Sequence, residues 1–205
     1  MILHYTAMRA STDALARLCD SGAEVSAHYV IEPGGQVWSL VPEERRAWHA
    51  GKSAWGAVRD VNSRSIGIEL VNTGRQPFPE PQMHALESLL DAVRDRWSVP
   101  PERVIGHSDI AIGRKVDPGP RFDWRRLARR GHAVWPDQAT PGDFEEDARR
   151  AGYVWEAGQE DALLAAVRLR LRPWATGPLG AVDRALVAGL ARDWPVAAEP
   201  AQSTS

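Results

Sequence analysis

The chain of 205 residues is long enough for one medium-sized domain and a small second one. Because 27 acidic residues nearly cancel 25 basic ones, the net charge of -2 excludes a general electrostatic attraction to nucleic acid. A hydrophobic fraction of 43% excludes a largely disordered or fibrous chain, and the single cysteine, Cys19, excludes an internal disulfide bond.

The N-terminal pattern predicts a strand, a helix and then a hairpin. A short apolar stretch at residues 2–5 predicts the strand, and apolar residues recur at helical spacing after Ser11. Residues 28–31 and 36–41 flank a Pro-Gly-Gly turn, which predicts two antiparallel strands. Trp38 lies in the second of these strands, where we expect it to pack in the core.

The middle of the chain predicts a strand, a long helix and a short strand. Residues 65–72 alternate in character, so Glu69 points away from the apolar face of that strand. Apolar residues at helical spacing predict a helix over residues 83–97, which the prolines after it end. A short strand over residues 104–106 then ends at His107.

Strands interleaved with helices predict the α/β class, with functional residues at strand ends and in the adjoining loops. Residues 110–120 read as a loop and residues 122–127 as a helix. Prolines and a glycine between residues 135 and 142 indicate a boundary. Three further helices are predicted beyond it, over residues 143–151, 160–171 and 183–194.

Three residues have the chemical types of a metal site. His4 follows the first apolar residues, His107 ends a strand, and Asp117 stands in the following loop. Two imidazoles and a carboxylate are a recurrent zinc-binding set that leaves one coordination position for water. Spacing alone leaves a second interpretation open, in which both histidines are satisfied at strand ends and Asp117 initiates the Pro118-Gly119 turn.

Several local strings stand in a characteristic order along the chain. They are Leu3-His4-Tyr5-Thr6, Ala47-Trp48-His49-Ala50-Gly51, Ser65-Ile66-Gly67-Ile68-Glu69-Leu70, Gly106-His107-Ser108-Asp109 and Arg114-Lys115-Val116-Asp117-Pro118-Gly119. Together they resemble the AmpD-like N-acetylmuramoyl-L-alanine amidase family, whose relatives include phage amidases and peptidoglycan recognition proteins. The resemblance covers roughly residues 2–136 and implies a mixed central sheet flanked by helices.

The resemblance implies one Zn²⁺ ion held by His4, His107 and Asp117, with Glu69 and Lys115 as catalytic residues. Zinc would polarise the amide carbonyl and lower the pKa of water. Glu69 would take the water proton and pass it to the leaving amine, and Lys115 would stabilise the tetrahedral oxyanion. Without the resemblance, a solvent-facing strand glutamate and a surface lysine are the alternative interpretations.

Four residues are candidate substrate contacts. His49 could line the cleft or assist proton transfer, or it could be an exposed loop histidine stacked on Trp48. Trp48 and Trp55 lie in a glycine-containing loop and could pack on sugar rings, with core packing as the alternative. Asn72 could hydrogen-bond sugar or peptide. Among the other histidines, His28 is expected to pack within the hairpin, and the two expected on the surface are His84 and His132.

The C-terminal helices resemble the three-helix peptidoglycan-binding domain that often accompanies such amidases. The likeness is carried by Ala151-Gly152-Tyr153 and by residues 165–173. Val167-Arg168 stands where that domain usually has an aromatic-Gln pair, so a structural cap is the alternative role. The alternating Arg168, Arg170 and Arg172 are expected to form a solvated face of a helix.

The predicted organisation and function follow from these resemblances. The predicted reaction is hydrolysis of the amide bond between N-acetylmuramic acid and L-alanine of peptidoglycan or muropeptides, in cell-wall turnover or recycling. A non-catalytic peptidoglycan recognition module and a zinc amidase acting on another acylated amine are the alternatives. The predicted segments are a catalytic domain (1–136), a linker (137–142), a peptidoglycan-binding-like three-helix domain (143–195) and a flexible tail (196–205).

The sequence also bears on compartment and partners. No apolar run approaches the roughly 20 residues that span a bilayer, and the N-terminus lacks a signal-peptide pattern. As it stands the sequence predicts a cytoplasmic protein, whereas a missing N-terminal signal would place it in the periplasm or cell envelope. We expect a peptidoglycan or muropeptide substrate, no nucleic acid and no transmembrane segment, and we assume a monomer.

Overall fold

A computed structural model describes residues 1–196, and residues 197–205, which include nearly all of the predicted tail, lie outside the described part. Five strands form one sheet in the order β3-β2-β4-β1-β5. The strands are β1 (Ile2–Tyr5), β2 (Tyr29–Ile31), β3 (Val37–Ser39), β4 (Gly67–Leu70) and β5 (Ile105–Gly106).

The sheet is mixed. Strand β1 runs parallel to β4 and β5, and β2 runs parallel to β4, whereas β3 pairs with β2 in the antiparallel sense. The predicted hairpin is therefore confirmed, and so is the predicted α/β class with a mixed central sheet. The turn between β2 and β3 closes with a hydrogen bond in which the backbone N–H of Gly35 donates to the carbonyl of Glu32.

Seven α-helices lie within residues 1–196. They are α1 (Ser11–Cys19), α2 (Glu80–Trp97), α3 (His107–Ile110), α4 (Trp124–Arg129), α5 (Phe144–Ala151), α6 (Glu160–Leu171) and α7 (Ala181–Asp193). None of them combines the length and the apolar character that a bilayer-spanning helix needs. The sequence prediction treated His107 as the end of a strand, whereas in the structure it begins the single-turn helix α3.

The long helix α2 covers one face of the sheet. Met83, Leu86, Leu90 and Val93 recur every three or four residues, so they form a buried stripe along the helix. This stripe packs in one apolar cluster with Leu3 and other residues of the central strands. We call this cluster, which joins the apolar stripe of α2 to Leu3, Ile68 and Leu70 of the strands, the apolar floor.

The C-terminal helices pack on the other side of the molecule. A single apolar cluster joins Ile2 and Ile105 of the sheet to Leu163, Val167 and Val187 of the helices. The two predicted units thus share one continuous core, and the domain division at residues 137–142 stays a prediction.

The three arginines in and directly after helix α6 differ from their predicted role as a solvated face. Arg168 and Arg172 form ion pairs with Asp183 of α7, a residue that is almost fully buried. Arg170 is itself only 3% exposed and pairs with Asp109 of α3. The prediction of a solvated face was wrong because the neighbouring elements cover this side of the helix and supply carboxylate partners.

Candidate metal centre and catalytic cleft

Two neighbouring strands place the first candidate residues side by side. The parallel register of β1 and β4 pairs His4 with Glu69, and Leu3 with Ile68. Because side chains alternate along a strand, Leu3 and Ile68 enter the apolar floor while His4 and Glu69 face the opposite side. There both line a cleft of about 390 Å³.

The other two candidate ligands come from the segment that follows β5. His107 begins α3, and Asp117 lies at the end of the loop after it. The backbone N–H of Ser108 donates to the carbonyl of Asp117 at 2.8 Å, which ties the two ends of the loop together. Residues ten positions apart thereby reach the same point at the edge of the sheet.

The three ligand atoms converge. The Nδ1 atoms of His4 and His107 lie 2.9 Å apart, and each is 3.0 Å from Oδ2 of Asp117. A tetrahedral ion with bonds of about 2.0–2.2 Å separates its ligand atoms by about 3.3–3.6 Å, only slightly more than these distances. All three side chains are buried. Two imidazoles and a carboxylate on one point fit a borderline-soft divalent ion such as zinc.

The far nitrogen of His107 has a partner that fixes its tautomer. Nε2 lies 3.1 Å from the carbonyl oxygen of Ala50, which can only accept, so Nε2 carries the proton. Nδ1 of His107 consequently keeps a free lone pair on the side of the ring where His4 and Asp117 lie. The same carbonyl also accepts from the guanidinium of Arg114 at 2.6 Å. Such outer contacts are typical of histidines that bind metals.

A directed chain of hydrogen bonds runs from the far nitrogen of His4. Ser65 donates its hydroxyl proton to the carbonyl of Val61 at 2.6 Å, so its oxygen accepts from Nε2 of His49 at 3.2 Å. Nδ1 of neutral His49 therefore accepts from Nε2 of His4 at 3.0 Å. The chain leaves the lone pair of His4 on Nδ1, where the candidate metal centre lies.

Local electrostatics favour the ligand forms of these side chains. Burial, reinforced by His107, lowers the pKa of His4 to about 4, and burial with the neighbouring His4 lowers the pKa of His49 well below its ordinary value. For Asp117, burial acts to raise the pKa, but the adjacent rings of His107 and His4 favour the ionised form and hold the pKa of this carboxyl below its usual range. At neutral pH, His4 and His49 are therefore neutral and Asp117 is ionised. A neutral imidazole and an ionised carboxylate are the forms that bind a metal ion.

Glu69 has the environment of a proton carrier. Burial, followed by the charge of Asp117, raises its pKa to about 8, while nearby Lys115 acts in the opposite direction. Its Oε2 atom is enclosed and has no hydrogen-bond partner among residues 1–196. A divalent cation in the adjacent centre would lower this pKa toward neutrality, where a carboxyl group can both take and return a proton.

The cleft is completed by exposed side chains. Lys115 lines it two residues before Asp117, and Trp48 lines it with 53% of its surface exposed. His49 also lines the cleft but is buried beneath it, unlike the exposed loop histidine that was the alternative interpretation. The structure thus brings seven of the nine predicted site residues together, and the remaining two lie elsewhere.

Trp55 and Asn72 are the two predicted contacts that lie outside the cleft. Trp55 is 8% exposed and packs edge-to-face on Tyr153, with ring centres 5.2 Å apart, so it belongs to the core. Asn72 is 1% exposed, and its Oδ1 accepts from the backbone of Gly74 at 2.8 Å, which stabilises the turn after β4. Both are corrections to the predicted substrate contacts.

Two other placements also correct the sequence prediction. Trp38 is 43% exposed rather than buried, because β3 is an edge strand, and its indole N–H donates to Glu32. His132 is buried rather than on the surface, with Nδ1 3.1 Å from Oδ1 of Asp91 on α2. His84 is exposed as predicted.

His28 has the predicted packing role. Its Nδ1 accepts from the backbone N–H of Gly67 at 3.0 Å, and its Nε2 donates to the carbonyl of Arg45 at 3.0 Å. Both ring nitrogens are therefore satisfied by backbone groups. This histidine holds the hairpin beside β4 and has no free nitrogen for a metal ion.

Sequence reasoning missed two residues that support the centre, Ser65 and Gly67. Ser65 ends the hydrogen-bond chain from His4. A Cβ atom on Gly67 would collide with the ring of His49, so only glycine leaves room for that ring against β4. A glycine inside a strand signals a close approach, and this signal could have identified Gly67.

Comparison with protein families and curated sequences gives the chain's relatives. The family model described as N-acetylmuramoyl-L-alanine amidase matches residues 1–120. N-acetylmuramoyl-L-alanine amidase AmiD of Escherichia coli is 41% identical over 153 residues, 67% of this chain and 54% of AmiD. The 1,6-anhydro-N-acetylmuramyl-L-alanine amidase AmpD of Haemophilus influenzae is 40% identical over 103 residues, 50% of this chain and 56% of AmpD. The chain spans about half the length of these curated relatives.

Solved structures extend the similarity over the C-terminal helices. AmiD from E. coli, in complex with the substrate anhydro-N-acetylmuramic acid-L-Ala-D-gamma-Glu-L-Lys, superposes with a TM-score of 0.87 and 34% identity over 94% of this chain and 88% of AmiD's chain. AmpDh3 from Pseudomonas aeruginosa, in complex with anhydromuramic pentapeptide, gives a TM-score of 0.86 and 33% identity over 95% of this chain and 91% of the other.

Proposed function

Because the chain belongs to the N-acetylmuramoyl-L-alanine amidase family, we propose that it hydrolyses the amide bond between N-acetylmuramic acid and L-alanine in a zinc-dependent reaction. The observation that carries this proposal is the convergence of His4, His107 and Asp117 on one point within the cleft that Glu69 and Lys115 also line. A recognition module without catalysis would need neither a metal-binding set nor a buried proton carrier.

The proposed zinc ion is held by the Nδ1 atoms of His4 and His107 and by the carboxylate of Asp117. When bound, zinc polarises a carbonyl oxygen and lowers the pKa of water, so that a nucleophile is available at neutral pH. The hydrogen bonds on the far nitrogens of both histidines keep each lone pair aimed at the ion. His49 is thus a positioning residue in this proposal.

The proposed catalytic side chains are Glu69 and Lys115. Glu69 takes a proton from the attacking water and later delivers it to the nitrogen of the leaving L-alanine. Its raised pKa supports this role, because a carboxyl near neutrality holds a proton long enough to return it. The ammonium group of Lys115 stabilises the negative charge that develops on the amide oxygen.

The proposed substrates are muropeptides or the corresponding part of peptidoglycan. Support comes from the AmiD and AmpDh3 structures, whose ligands contain an anhydromuramic acid linked to a peptide. Trp48 at the cleft wall offers a flat apolar surface to a sugar or peptide group. We propose residues 1–136 as the catalytic domain and residues 143–195 as an attached helical domain.

A digestion experiment tests the proposal. Purified muropeptides are incubated with wild-type protein, with protein stripped of metal by a chelator, and with Glu69→Gln, and the products are identified by mass spectrometry. We expect wild type to release free stem peptide, stripped protein to recover only after zinc is added, and Glu69→Gln to be about 10²- to 10⁴-fold slower. Glu44→Gln, an exposed change away from the cleft, is the matched control.

Two outcomes would contradict the proposal. Release of stem peptide that survives both metal removal and Glu69→Gln would disprove the mechanism. If wild type binds muropeptides but releases no stem peptide with zinc present, the protein is a recognition module instead.

A further inference from the structure

Asp109 is a fully buried carboxylate next to the candidate metal centre. It lies two residues after His107 and has no exposed surface. Its Oδ2 accepts from the backbone N–H of Gly106 at 2.7 Å, which closes the turn that begins α3. The carboxylate therefore fixes the backbone from which the His107 side chain projects.

The other partners of Asp109 come from the C-terminal helical region. The hydroxyl of Tyr153, just after α5, donates to Oδ1 at 3.1 Å. The guanidinium of Arg170, on α6, lies 3.3 Å from Oδ2 of Asp109. Arg170 is only 3% exposed. A buried carboxylate needs a compensating charge, and here a helix more than 60 residues further along the chain supplies it.

Arg170 has few other partners that would explain its burial. Its Nε and Nη2 atoms have no hydrogen-bond partner within residues 1–196. The guanidinium carbon lies 4.9 Å from the ring centre of Trp124, a cation–π contact. An apolar side chain would fill this position without the desolvation penalty of a charge, so the contact with Asp109 gives Arg170 its role.

The same turn connects both ends of the ligand segment. Gly106 precedes His107, and Ser108 is hydrogen-bonded to the backbone of Asp117. Trp124 packs closely here, since a side-chain carbon on Gly106 would lie 3.3 Å from its ring. A shift of Asp109 would therefore move the backbone of His107 and, through Ser108, that of Asp117.

We propose that the C-terminal helices position the metal ligands, with Arg170 and Tyr153 acting through Asp109 as positioning residues. The inference rests on the proposed zinc-dependent function and assigns these helices a role other than glycan binding. The helical region then supports the backbone of the metal centre. Metal affinity depends on contacts that Arg170 and Tyr153, both outside residues 1–136, make with Asp109.

Arg168 provides a matched control on the same helix. It pairs with Asp183 of α7, so its ion pair stays inside the helical region. Arg172 also pairs with Asp183, which therefore keeps a cationic partner when Arg168 is replaced. Arg168→Met and Arg170→Met remove the same charged group from one helix, but only Arg170→Met removes a contact with α3.

Zinc affinity of the full chain tests the inference. Metal-free wild type, Arg170→Met, Arg168→Met and Tyr153→Phe are titrated with zinc in competition with a chromophoric chelator, after circular dichroism has checked the fold. We expect about 10-fold weaker binding for Arg170→Met, a smaller loss for Tyr153→Phe, and no change beyond about twofold for Arg168→Met. Thermal unfolding midpoints are recorded in parallel, since a purely structural contact would change these and leave the zinc affinity of folded protein unaltered.

A double-mutant cycle shows whether the effect passes through the carboxylate. In an Asp109→Asn background, we expect Arg170→Met to change zinc affinity by less than about twofold. Independent effects of the two substitutions would overturn the inference, as would equal zinc affinity of wild type and Arg170→Met. If Arg170→Met does not fold, Tyr153→Phe with unaltered affinity overturns it. A folded wild type that binds no zinc would overturn the proposed function, and this inference with it.

Discussion

The two faces of the central strands have opposite chemical characters. On β1, Leu3 is buried in the apolar floor against α2, whereas its neighbour His4 faces the cleft. On β4, Ile68 and Glu69 repeat this arrangement in register. A slip of one residue would exchange the two faces, so the apolar residues that stabilise the sheet also determine which side chains reach the metal centre.

The faces also differ in how their side chains are stabilised. The apolar floor is stabilised mainly by dense packing, because almost all of its buried side chains lack polar groups. On the cleft face, every buried nitrogen needs a partner, and the chain from His4 through His49 to Ser65 supplies them. Substitutions on the first face should therefore change stability, and substitutions on the second should change metal binding and activity.

The largest contrast is expected between adjacent residues of β1. His4→Ala removes a proposed ligand, so muropeptide cleavage should be lost and zinc should bind far more weakly, while the fold persists. Leu3→Ala leaves a cavity in the apolar floor and should lower the free energy of unfolding by about 2–5 kcal/mol. Chelator competition and urea denaturation of both variants measure the two effects. Equal loss of stability in both variants would contradict the division between the faces.

A moderate effect is expected from the residue behind His4. His49→Phe preserves most of the ring but leaves Nε2 of His4 without an acceptor, so zinc should bind about 10- to 100-fold more weakly. His84→Phe, an exposed histidine on α2, should leave zinc affinity unchanged. Isothermal titration of both variants gives the comparison. Unaltered affinity of His49→Phe would show that the hydrogen-bond chain does not support the metal centre.

A further contrast is a pH dependence of stability on the cleft face. Glu69 has an ordinary pKa of 4.5 and a folded-state pKa of about 8, so the folded protein binds its proton more tightly. The stabilising contribution of protonated Glu69 should therefore be lost as the pH rises from about 4.5 to 8. Chelator-treated wild type should lose stability over this range relative to Glu69→Gln, as urea denaturation at several pH values would show. Parallel pH profiles would contradict the buried-carboxyl assignment.

Local pattern was sufficient for most elements of the fold. The hairpin, the alternating strand around Glu69 and the helix over residues 83–97 all follow from periodicity and turn residues within a short window. The motif strings also brought the five proposed catalytic and ligand residues together before any geometry was known. Each of these inferences depends on neighbours in sequence or on the resemblance of several strings taken together.

The misplaced residues have their environment set by distant segments. Trp38 has the alternating pattern of a strand yet lies exposed on an edge strand, whereas Trp55 has the pattern of a loop yet lies buried under the C-terminal helices. Arg170 has the same alternating spacing as Arg168 and Arg172, and that pattern does not show that Asp109 and Asp183 pair with them. Burial of a side chain is a property of the elements that cover it, and local pattern contains little information about them.

The sequence by itself determined the α/β class, the identity of the candidate metal and catalytic residues, and the family, because these depend on periodicity and on ordered motifs. Tertiary structure alone decided that three ligand atoms converge to within 2.9–3.0 Å of one another. It also decided which ring nitrogen of His4 carries the proton and that the C-terminal helices contact α3. These features depend on contacts between residues as many as 113 positions apart. Only the packing of the whole chain brings residues so far apart in sequence into contact.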